Sequence, residues 1–461
     1  MRDECMMKVC CEMCYRLSFN FAYPDMVKPL NSLNQQVEHP IPNKQFSRNW
    51  DCTHSNTTTI SCTTFNILAP IYKRLGGGVR ESEFREAWLS RNQSILDRLL
   101  HLKSSVICLQ EFWVDNEELV GMYEKRLHDT GYRTYTLART NNRGDGLLTA
   151  VHQSQFRLLS YRELLFNDIA DRVAQVLHVE LCCDITQNTT SNILKEAIIV
   201  NTHLIFPHDS RYCFLRLQQV YKILQYIRSY MEKYAFPLPV ILCGDWNGSK
   251  KGHVYKFLRS QGFVSSYDIA HHSEHDTEES QKWVSHRNHR GNICGVDFIW
   301  LQNSQKSQKP LKESFMEAIL GNINNLLHKV ITGGVDQLPE TLRIRNSSIT
   351  YTDFAQALVQ LGISGHPRSH GGLHDEDIRE IWKHLDADGD GIADVTNFLL
   401  CGFQHEEHGN NSVDEAQNSA ATIGFVVKNA TLFPQEVEEG TWPDNYSLSD
   451  HAHLTVDFAV I

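Results

Sequence analysis

The sequence predicts a layered α/β protein whose core is interrupted late in the chain by a helical unit of different character. From "ISCTTFNIL" at residue 60 onward, short apolar runs rich in Val, Ile, Leu and Cys alternate with helix-period patterns. Between 303 and 423 the chain carries nine Lys and Arg against 17 Asp and Glu, which is most of its net charge of −11, and from 424 strand-like chemistry resumes. At 461 residues and 41% hydrophobic content it is long enough for a large core and a second unit.

Residues 1–58 read as a flexible leader, polar, broken by Pro24, Pro29, Pro40 and Pro42, with no apolar signal region. Cys5, Cys10, Cys11 and Cys14 cluster there at a spacing that fits no zinc template, and no function is assigned to them. Residues 59–302 form the first part of the core. Within them a helix is expected over 82–102, with Phe84, Trp88, Ile95, Leu96, Leu99 and Leu100 largely on one face. A second is expected from 211 to about 231, with Leu215, Val220, Leu224 and Ile227. Both are amphipathic and should cover a sheet from outside. Residues 424–461 supply the last strands.

Most of the 13 cysteines sit singly in apolar runs such as "SVICLQ" and "VILCGD", as buried free thiols do, so a reducing compartment is expected. No stretch approaches the roughly 18 apolar residues of a spanning helix. The expected location is cytoplasmic or nuclear and soluble. Outside 303–423 the charge is near balance, which neither demands nor excludes nucleic acid in a local cleft.

The 303–423 unit opens on the linker "NSQKSQKP" and a helical pattern over 313–329. "ITYTDFAQALVQLGI" and "EDIREIWKHL" then lead to "DADGDGIADVTN". The last stretch has the spacing of an EF-hand loop: Asp386, Asp388 and Asp390 at positions 1, 3 and 5, the Ile392 carbonyl at 7 and Asp394 at 9. Position 12, normally a bidentate Glu, is Asn397. Losing that carboxylate moves the site toward six oxygens and toward Ca²⁺ affinity on the order of millimolar. Ala393 is small for position 8, so a weak divalent-ion site and a structural relic both fit.

Several apolar runs present a polar group at a strand end: Asn66 in "CTTFNIL", Glu111 in "SVICLQE", Asn201 and His203 in "AIIVNTHL", Asp245 and Asn247 in "PVILCGDWN", Asp297 in "GVDFIWL". "YSLSDHAHL" adds Asp450 and His451. Singly, such residues are turn formers or satisfied polar groups. Jointly, carboxylates, amides and histidines at one edge of an α/β core are what metal-assisted phosphoryl transfer requires.

The ordered set "TFNIL", "LQE", "NTHL", "GDWN", "VDFIW", "SDH" resembles the endonuclease/exonuclease/phosphatase superfamily, in its deadenylase-like branch. With the EF-hand segment, residues 60–461 resemble a plant EF-hand-containing member of that superfamily. The resemblance implies a DNase-I-like four-layer α/β sandwich, two packed mixed β-sheets flanked by helices, with an inserted all-α EF-hand-pair unit. It implies Glu111 as principal Mg²⁺ ligand, Asn66 as a metal-side or phosphate-orienting residue, and Asp450 as a carboxylate either at the metal or behind its ligands. Asp245 would activate or orient the attacking water with Asn247 beside it; His203 and His451 would contact the scissile phosphate, His451 held in its tautomer by Asp297.

Two further segments are candidates for substrate binding. "RTNNRGDGLLTAV" places Arg143 and Asp145 in a loop before a strand, where a plain hairpin turn fits as well. "KWVSHRNHRGN" gathers Trp283, His286, Arg287, His289 and Arg290, suited to a base or a phosphate, though a solvated basic loop fits the same residues. The expected activity is Mg²⁺-dependent phosphodiester hydrolysis of RNA or a nucleotide-containing substrate, with weak Ca²⁺ binding and a calcium-dependent protein partner attached to the loop. The alternatives are a lipid or inositol phosphate substrate, or a calcium-responsive adaptor on an inactive scaffold. If the strands of Asp297 and of 424–433 pair as a hairpin, the inserted unit leaves from the end opposite the chemistry.

Overall fold

The computed structural model describes residues 58–167, 169–182, 195–209, 211–234, 237–271, 283–303, 309–332, 348–365, 372–394 and 423–461. In chain order the elements are β1 (Thr59–Asn66), α1 (Arg85–Leu102), β2 (Val106–Phe112), α2 (Glu117–Asp129), β3 (Tyr132–Ala138), β4 (Gly146–His152), β5 (Phe156–Leu165), β6 (Val173–Leu181) and β7 (Glu196–His203). Next come α3 (Tyr212–Met231), β8 (Val240–Asp245), α4 (His253–Ser260), β9 (Val264–Ser265), α5 (Ser266–His271), β10 (His286–Arg287), β11 (Ile293–Cys294) and β12 (Asp297–Gln302). The later part holds α6 (Leu311–Thr332), β13 (Ser348–Thr350), α7 (Tyr351–Gln360), α8 (Asp375–Leu385), β14 (Ile392–Asp394), β15 (Phe425–Phe433) and β16 (His453–Val460).

Two mixed six-stranded sheets result, in the orders β15-β16-β1-β2-β4-β3 and β5-β6-β7-β8-β12-β9. Alternation along β2 shows how they stack. Val106 and Cys108 join the core shared with Ile198, Val200, Ile241 and Cys243 of the second sheet. Ile107 and Leu109 face the helix layer, where Trp88, Ile95, Leu96 and Leu99 of α1 and Tyr123 and Leu127 of α2 cover them. Helices α3, α4 and α6 pack together as the opposite outer layer. The order helix, sheet, sheet, helix is the expected four-layer sandwich.

A buried polar network lies between the sheets. Gln110 Nε2 donates to Asn201 Oδ1 at 2.8 Å, and Asn201 Nδ2 donates to the Leu109 and Leu148 carbonyls at 3.2 Å. Thr149 Oγ1 donates to Gln175 Oε1 at 2.7 Å. Asn201 thus ties the sheets together away from the strand ends, which corrects its placement among the edge residues.

β12 does not form a hairpin with β15. It pairs with β8 and β9, while β15 pairs with β16 in the other sheet. The departure point of the late segment is fixed by Asn303, which donates from Nδ2 to the Phe425 carbonyl at 2.9 Å and accepts from the Phe425 N–H at 2.8 Å. Phe425 pairs with Val460, whereas Phe433, at the other end of β15, pairs with His453 beside the SDH motif. The segment therefore leaves and re-enters at the strand ends remote from Asp297 and His451, about 20 Å along a six-residue strand.

That segment is not wholly helical. β13 and β14 pair antiparallel, with Ile349 opposite Ala393 and both buried. Buried Ala393 fits against Ile349, so the small residue is a packed one. α8 lies on the outer layer through Gln218 Nε2 to Asp377 Oδ2, 3.2 Å, and the exposed Lys312–Glu380 pair at 3.0 Å.

Cys62, Cys108 and Cys243 are buried free thiols. The N-terminal cysteines and Asn397 lie outside the described residues. No described helix is long and apolar enough to cross a membrane.

Candidate active site

One edge of the sandwich collects the strand ends. Parallel pairing places Asn66 opposite Gln110 and His203 opposite Asp245; antiparallel pairing places Asp297 opposite Asp245. β16 runs antiparallel to β1, so the chain just ahead of it carries Asp450 and His451 to the same edge. Ser449 Oγ donates to the Asn66 carbonyl at 2.6 Å and locks that approach.

Glu111 reaches the edge through a backbone irregularity. The β2–β4 register shifts between Gln110 and Phe112, and Glu111 has φ +53°, a left-handed conformation costly for a non-glycine residue. Strict alternation would send its side chain to the helix layer with Ile107 and Leu109. The bulge resets the phase, returns Phe112 to the helix layer and turns Glu111 toward Asn66.

Asn66 and Asp245 form the centre. Asn66 Nδ2 donates to Glu111 Oε1 at 3.3 Å and to Asp245 Oδ2 at 3.1 Å, and its Oδ1 accepts from the Leu68 N–H. Asp245 Oδ1 accepts from the Asn247 N–H at 2.9 Å; Asn247 itself has φ +48°. Gly244, immediately before Asp245, is required, because a Cβ there would lie 2.0 Å from the Thr202 carbonyl oxygen. Burial pushes the Asp245 carboxyl up, but His203, His451 and the Asn247 N–H outweigh it, holding the group well below the usual carboxylate range.

The two histidines are in opposite states. Arg172 Nη1 lies 2.8 Å from His203 Nδ1, and since a guanidinium only donates, that nitrogen carries the lone pair. The proton then sits on Nε2, 3.3 Å from Asp245 Oδ2. Burial and the Arg172 charge lower His203 to about 4, so it is neutral. His451 donates from Nδ1 to Asp297 Oδ2 at 2.9 Å, with Nε2 3.8 Å from Asp245 Oδ2. Burial opposes its charge, but Asp297 and Asp245 raise it to about 10. Asp297 is fully buried and also accepts from Ser285 Oγ at 2.6 Å; burial pushes its carboxyl up against the pull of His451.

Glu111 is raised to about 7 by burial and by the charges of Asp450 and Asp145. Among the described residues no Lys, Arg or His forms an ion pair with it, and its hydrogen bonds, from Asn66 Nδ2 and the Ala69 N–H, are both 3.3 Å long. A half-buried carboxylate with weak donors and no paired cation among the described residues is a fitting ligand for a hard divalent ion. Among the described residues three clusters place ligand atoms within 4.8 Å of one another: Asp245 with Asp297 and His451, His286 with Asp450 and His451, and Asp386 with Asp388 and Asp390. The first is already joined by the His451–Asp297 hydrogen bond. Asp450 is one-third exposed, with its oxygens toward His286 and His451. The acidic loop follows α8, and Gly391 donates its N–H toward Asp386 at 3.2 Å. The side chain of Asp394 lies outside what is described, as does Asn397.

The remaining predicted residues divide. Arg143 is exposed and pairs with Asp171, next to buried Asp145, which Tyr72 and Arg139 both bond. Asp145 is therefore a structural anchor for the loop rather than an open contact. Arg287 pairs with exposed Asp444 at 2.8 Å, and His289 and Arg290 are exposed at the tip of the β10–β11 hairpin. Trp283 is corrected: it is 7% exposed, packed against Tyr267 and Phe298, with Gly295 against its ring, a core residue instead of a stacking platform for a base.

Sequence reasoning missed Arg172, Ser285, Ser449 and the Arg91–Glu81 pair. Arg91, 8% exposed, meets Glu81 with Nε 2.9 Å from both carboxylate oxygens and donates to the carbonyls of Ile67, Leu68 and Leu448. It clasps the loop after Asn66 to the loop before the SDH motif. A lone Arg inside an amphipathic helix gives no signal of this; the hydroxyl of Ser449, inside the quoted motif, could have been found.

Residues 63–306 match the model of the endonuclease/exonuclease/phosphatase family. An "uncharacterized calcium-binding protein" of Arabidopsis thaliana is 51% identical over 418 residues, covering 88% of this chain and 85% of that one. Carbon catabolite repressor protein 4 homolog 3 of Arabidopsis thaliana is 28% identical over 258 residues, and this alignment spans 52% of each chain. Among solved structures, ANGEL2, a 2′,3′-cyclic phosphatase, aligns at 20% identity with a TM-score of 0.42, over 54% of this chain and 84% of that one. On the family match and the extent of the Arabidopsis relative, the chain belongs to the endonuclease/exonuclease/phosphatase family.

Proposed function

We propose that this chain hydrolyses phosphodiester bonds with a divalent cation, Mg²⁺ foremost, and that its substrate is RNA or a nucleotide-containing molecule. The observation that carries the reading is the chain of contacts Glu111, Asn66, Asp245, His451, Asp297 at one sheet edge. Four carboxylates, Glu111, Asp245, Asp297 and Asp450, gather around one cationic histidine, so an anionic phosphate needs a bound cation to approach. Glu111 would hold it, with Asn66 and Asp450 on its flanks. When bound, such an ion withdraws charge from the phosphoryl oxygens and orients the phosphate.

The protein residues supply the rest. Asp245 stays ionised and accepts a hydrogen bond from the attacking water, orienting its oxygen toward phosphorus; Asn247 fixes the carboxylate through its N–H. His451 points its Nε2–H at the phosphate, and Asp297 holds the ring in that orientation and keeps it charged. His203 is neutral, and its Nε2–H braces Asp245 while Arg172 fixes the tautomer; the ring acts on the phosphate through Asp245 more than by contact. Oxygen from water bonds to phosphorus as the ester oxygen leaves, with no covalent enzyme intermediate. Exposed Arg143 and Arg290, with half-buried Arg287, are the cations that would meet the rest of the substrate.

The RNA reading is supported by the name of a relative, "CCR4-Not complex 3'-5'-exoribonuclease subunit Ccr4" of Debaryomyces hansenii, 22% identical over 58% of this chain and 36% of that one. The acidic loop is proposed as a weak Ca²⁺ site of Asp386, Asp388, Asp390, the Ile392 carbonyl, Asp394 and Asn397. The test is turnover of labelled oligo(A), mixed RNA, DNA and phosphoinositides in Mg²⁺, with and without chelator, for wild type and Glu111→Gln. RNA cleavage that chelator and Glu111→Gln both abolish supports the reading. Cleavage confined to phosphoinositides moves the substrate class, and no turnover of any substrate refutes the enzyme.

A further inference from the structure

The aromatic ring expected to meet a base, Trp283, is buried in the core, yet another ring stands bare at the catalytic edge. We propose that Tyr72 is a stacking platform for a nucleobase and Lys73 the contact for a phosphate of the same strand, so that the turn 69–73 forms a nucleotide-binding lip beside Glu111. Their role rests on the nucleotide reading of the substrate.

The turn is fixed to the metal-side carboxylate by its own backbone. The Ala69 N–H donates to Glu111 Oε2 at 3.3 Å, and the Ala69 carbonyl accepts from the N–H of Tyr72 at 2.8 Å and of Lys73 at 3.1 Å. From behind, the Glu81 N–H donates to the Lys73 carbonyl at 2.9 Å and the Ser82 N–H to the Pro70 carbonyl at 3.0 Å. A lip held this way is preorganised, and a ligand that seats on it orders little new chain.

Tyr72 spans from that turn to the loop between β3 and β4. Its hydroxyl donates to Asp145 Oδ1 at 2.6 Å, and Asp145 is fully buried, so the polar end is turned inward and the residue, 39% exposed, offers its ring to the outside. Burial and the Asp145 charge raise the phenol, with Glu111 adding to them, so it stays protonated and keeps donating. Among the described residues no aromatic ring packs on it. A planar ring anchored at its hydroxyl and bare elsewhere is what a base stacks on. Phe206, exposed at the same edge, already packs against His208 with ring centroids 5.2 Å apart.

Lys73 reaches the loop ahead of the SDH motif. Its Nζ lies 3.5 Å from the Ser447 carbonyl, the outer limit of a hydrogen bond, and among the described residues it forms no ion pair. Ser447 is two residues before Ser449, whose hydroxyl holds that segment to Asn66. An unpaired ammonium thus stands at the rim of a cleft rich in carboxylates, where a polyanion needs one. Every base has a π-face, so the lip favours nucleic acid over an inositol phosphate without choosing among bases.

Binding of labelled oligo(A) and of an abasic strand of equal length is measured by fluorescence anisotropy in Mg²⁺, on the Asp245→Asn background to keep the strands intact, with thermal melts as the control for folding. This parent is expected to prefer oligo(A), and Tyr72→Leu to weaken oligo(A) at least about fivefold while the abasic strand stays within about twofold. Tyr72→Phe keeps the ring and should keep the preference; in both variants Asp145 retains Arg139 at 3.1 Å. Lys73→Met should weaken both strands alike and flatten the slope of log Kd against log salt by about 0.7, one phosphate contact on a single strand. A parent that binds both strands equally, or a folded Tyr72→Leu that keeps the preference, overturns the platform. Lys73→Met with the parent's affinity and salt slope overturns the phosphate contact. A base preference that Tyr72→Leu removes, in a chain whose wild type cleaves no phosphodiester, overturns the hydrolase reading and leaves the lip standing.

Discussion

Replacing Asp297 by Asn removes the charge that keeps His451 protonated, and the structure sets the size of the effect. Asp297 Oδ2 lies 2.9 Å from His451 Nδ1, with both side chains buried. At an effective dielectric of about 20 the attraction between unit charges at that separation is roughly 6 kcal/mol, an upper bound. Each pH unit of pKa is worth about 1.4 kcal/mol, so the loss suffices to bring His451 from about 10 to its ordinary 6.5 or below. The sign follows from linkage: a histidine whose folded pKa exceeds its unfolded one stabilises the fold fully below about 6.5 and ceases to as pH rises through about 10. Wild type should therefore lose several kcal/mol of stability across that window, and Asp297→Asn should be flat there. NMR titration of the His451 ring gives the pKa directly, and chemical denaturation at a series of pH values gives the stability. A variant ring that still titrates near 10, or a wild-type ring that titrates at its ordinary value, refutes the reasoning.

Glu111, raised to about 7, must release a proton to bind a cation below that pH, so Mg²⁺ affinity by calorimetry should fall about tenfold per unit of pH there; metal-free wild type should also lose stability as pH rises from about 4.5 to 7, and Glu111→Gln should not. Gly244→Ala, whose Cβ would meet the Thr202 oxygen at 2.0 Å, should cost on the order of 3 kcal/mol or more in denaturant unfolding. Arg91→Met leaves Glu81 buried and unpaired and should cost about 3–5 kcal/mol, part of it recovered by adding Glu81→Gln. Calcium titration should show half-saturation on the order of millimolar, lost in Asp386→Ala; micromolar binding would contradict the acidic-loop assignment.

The strand-end residues were legible because apolar runs mark strands and their polar termini mark one edge. Asn66, Glu111, His203, Asp245, Asp297 and His451 reach that edge together. What alternation could not convey was how far along a strand a residue sits. Asn201 and His203 share a face of β7, yet Asn201 is sealed between sheets and His203 lies in the cleft. Alternation also misplaces Glu111, since the bulge that turns it inward leaves no mark in "LQEFW". Strand partnership was equally hidden: β12 chooses β8 across some 50 residues, a long-range pairing that periodicity does not encode. Arg172 acts through a ring nitrogen and Arg91 through Glu81 and three backbone carbonyls, and no local pattern announces either. Trp283 resembled a binding residue by its basic neighbours, but its own packing partners, Tyr267 and Phe298, lie elsewhere in the sequence.

The central claim, that this cleft directs water onto phosphorus with Asp245 orienting it, is tested most directly by cleaving oligo(A) in ¹⁸O-water with Mg²⁺, for wild type and Asp245→Asn. The account predicts one solvent oxygen in the phosphate that each cleavage sets free, none in the hydroxyl end it leaves, and a rate at least roughly 10²-fold lower in the variant. A phosphate free of ¹⁸O, or an Asp245→Asn protein that cleaves at the wild-type rate, would contradict it.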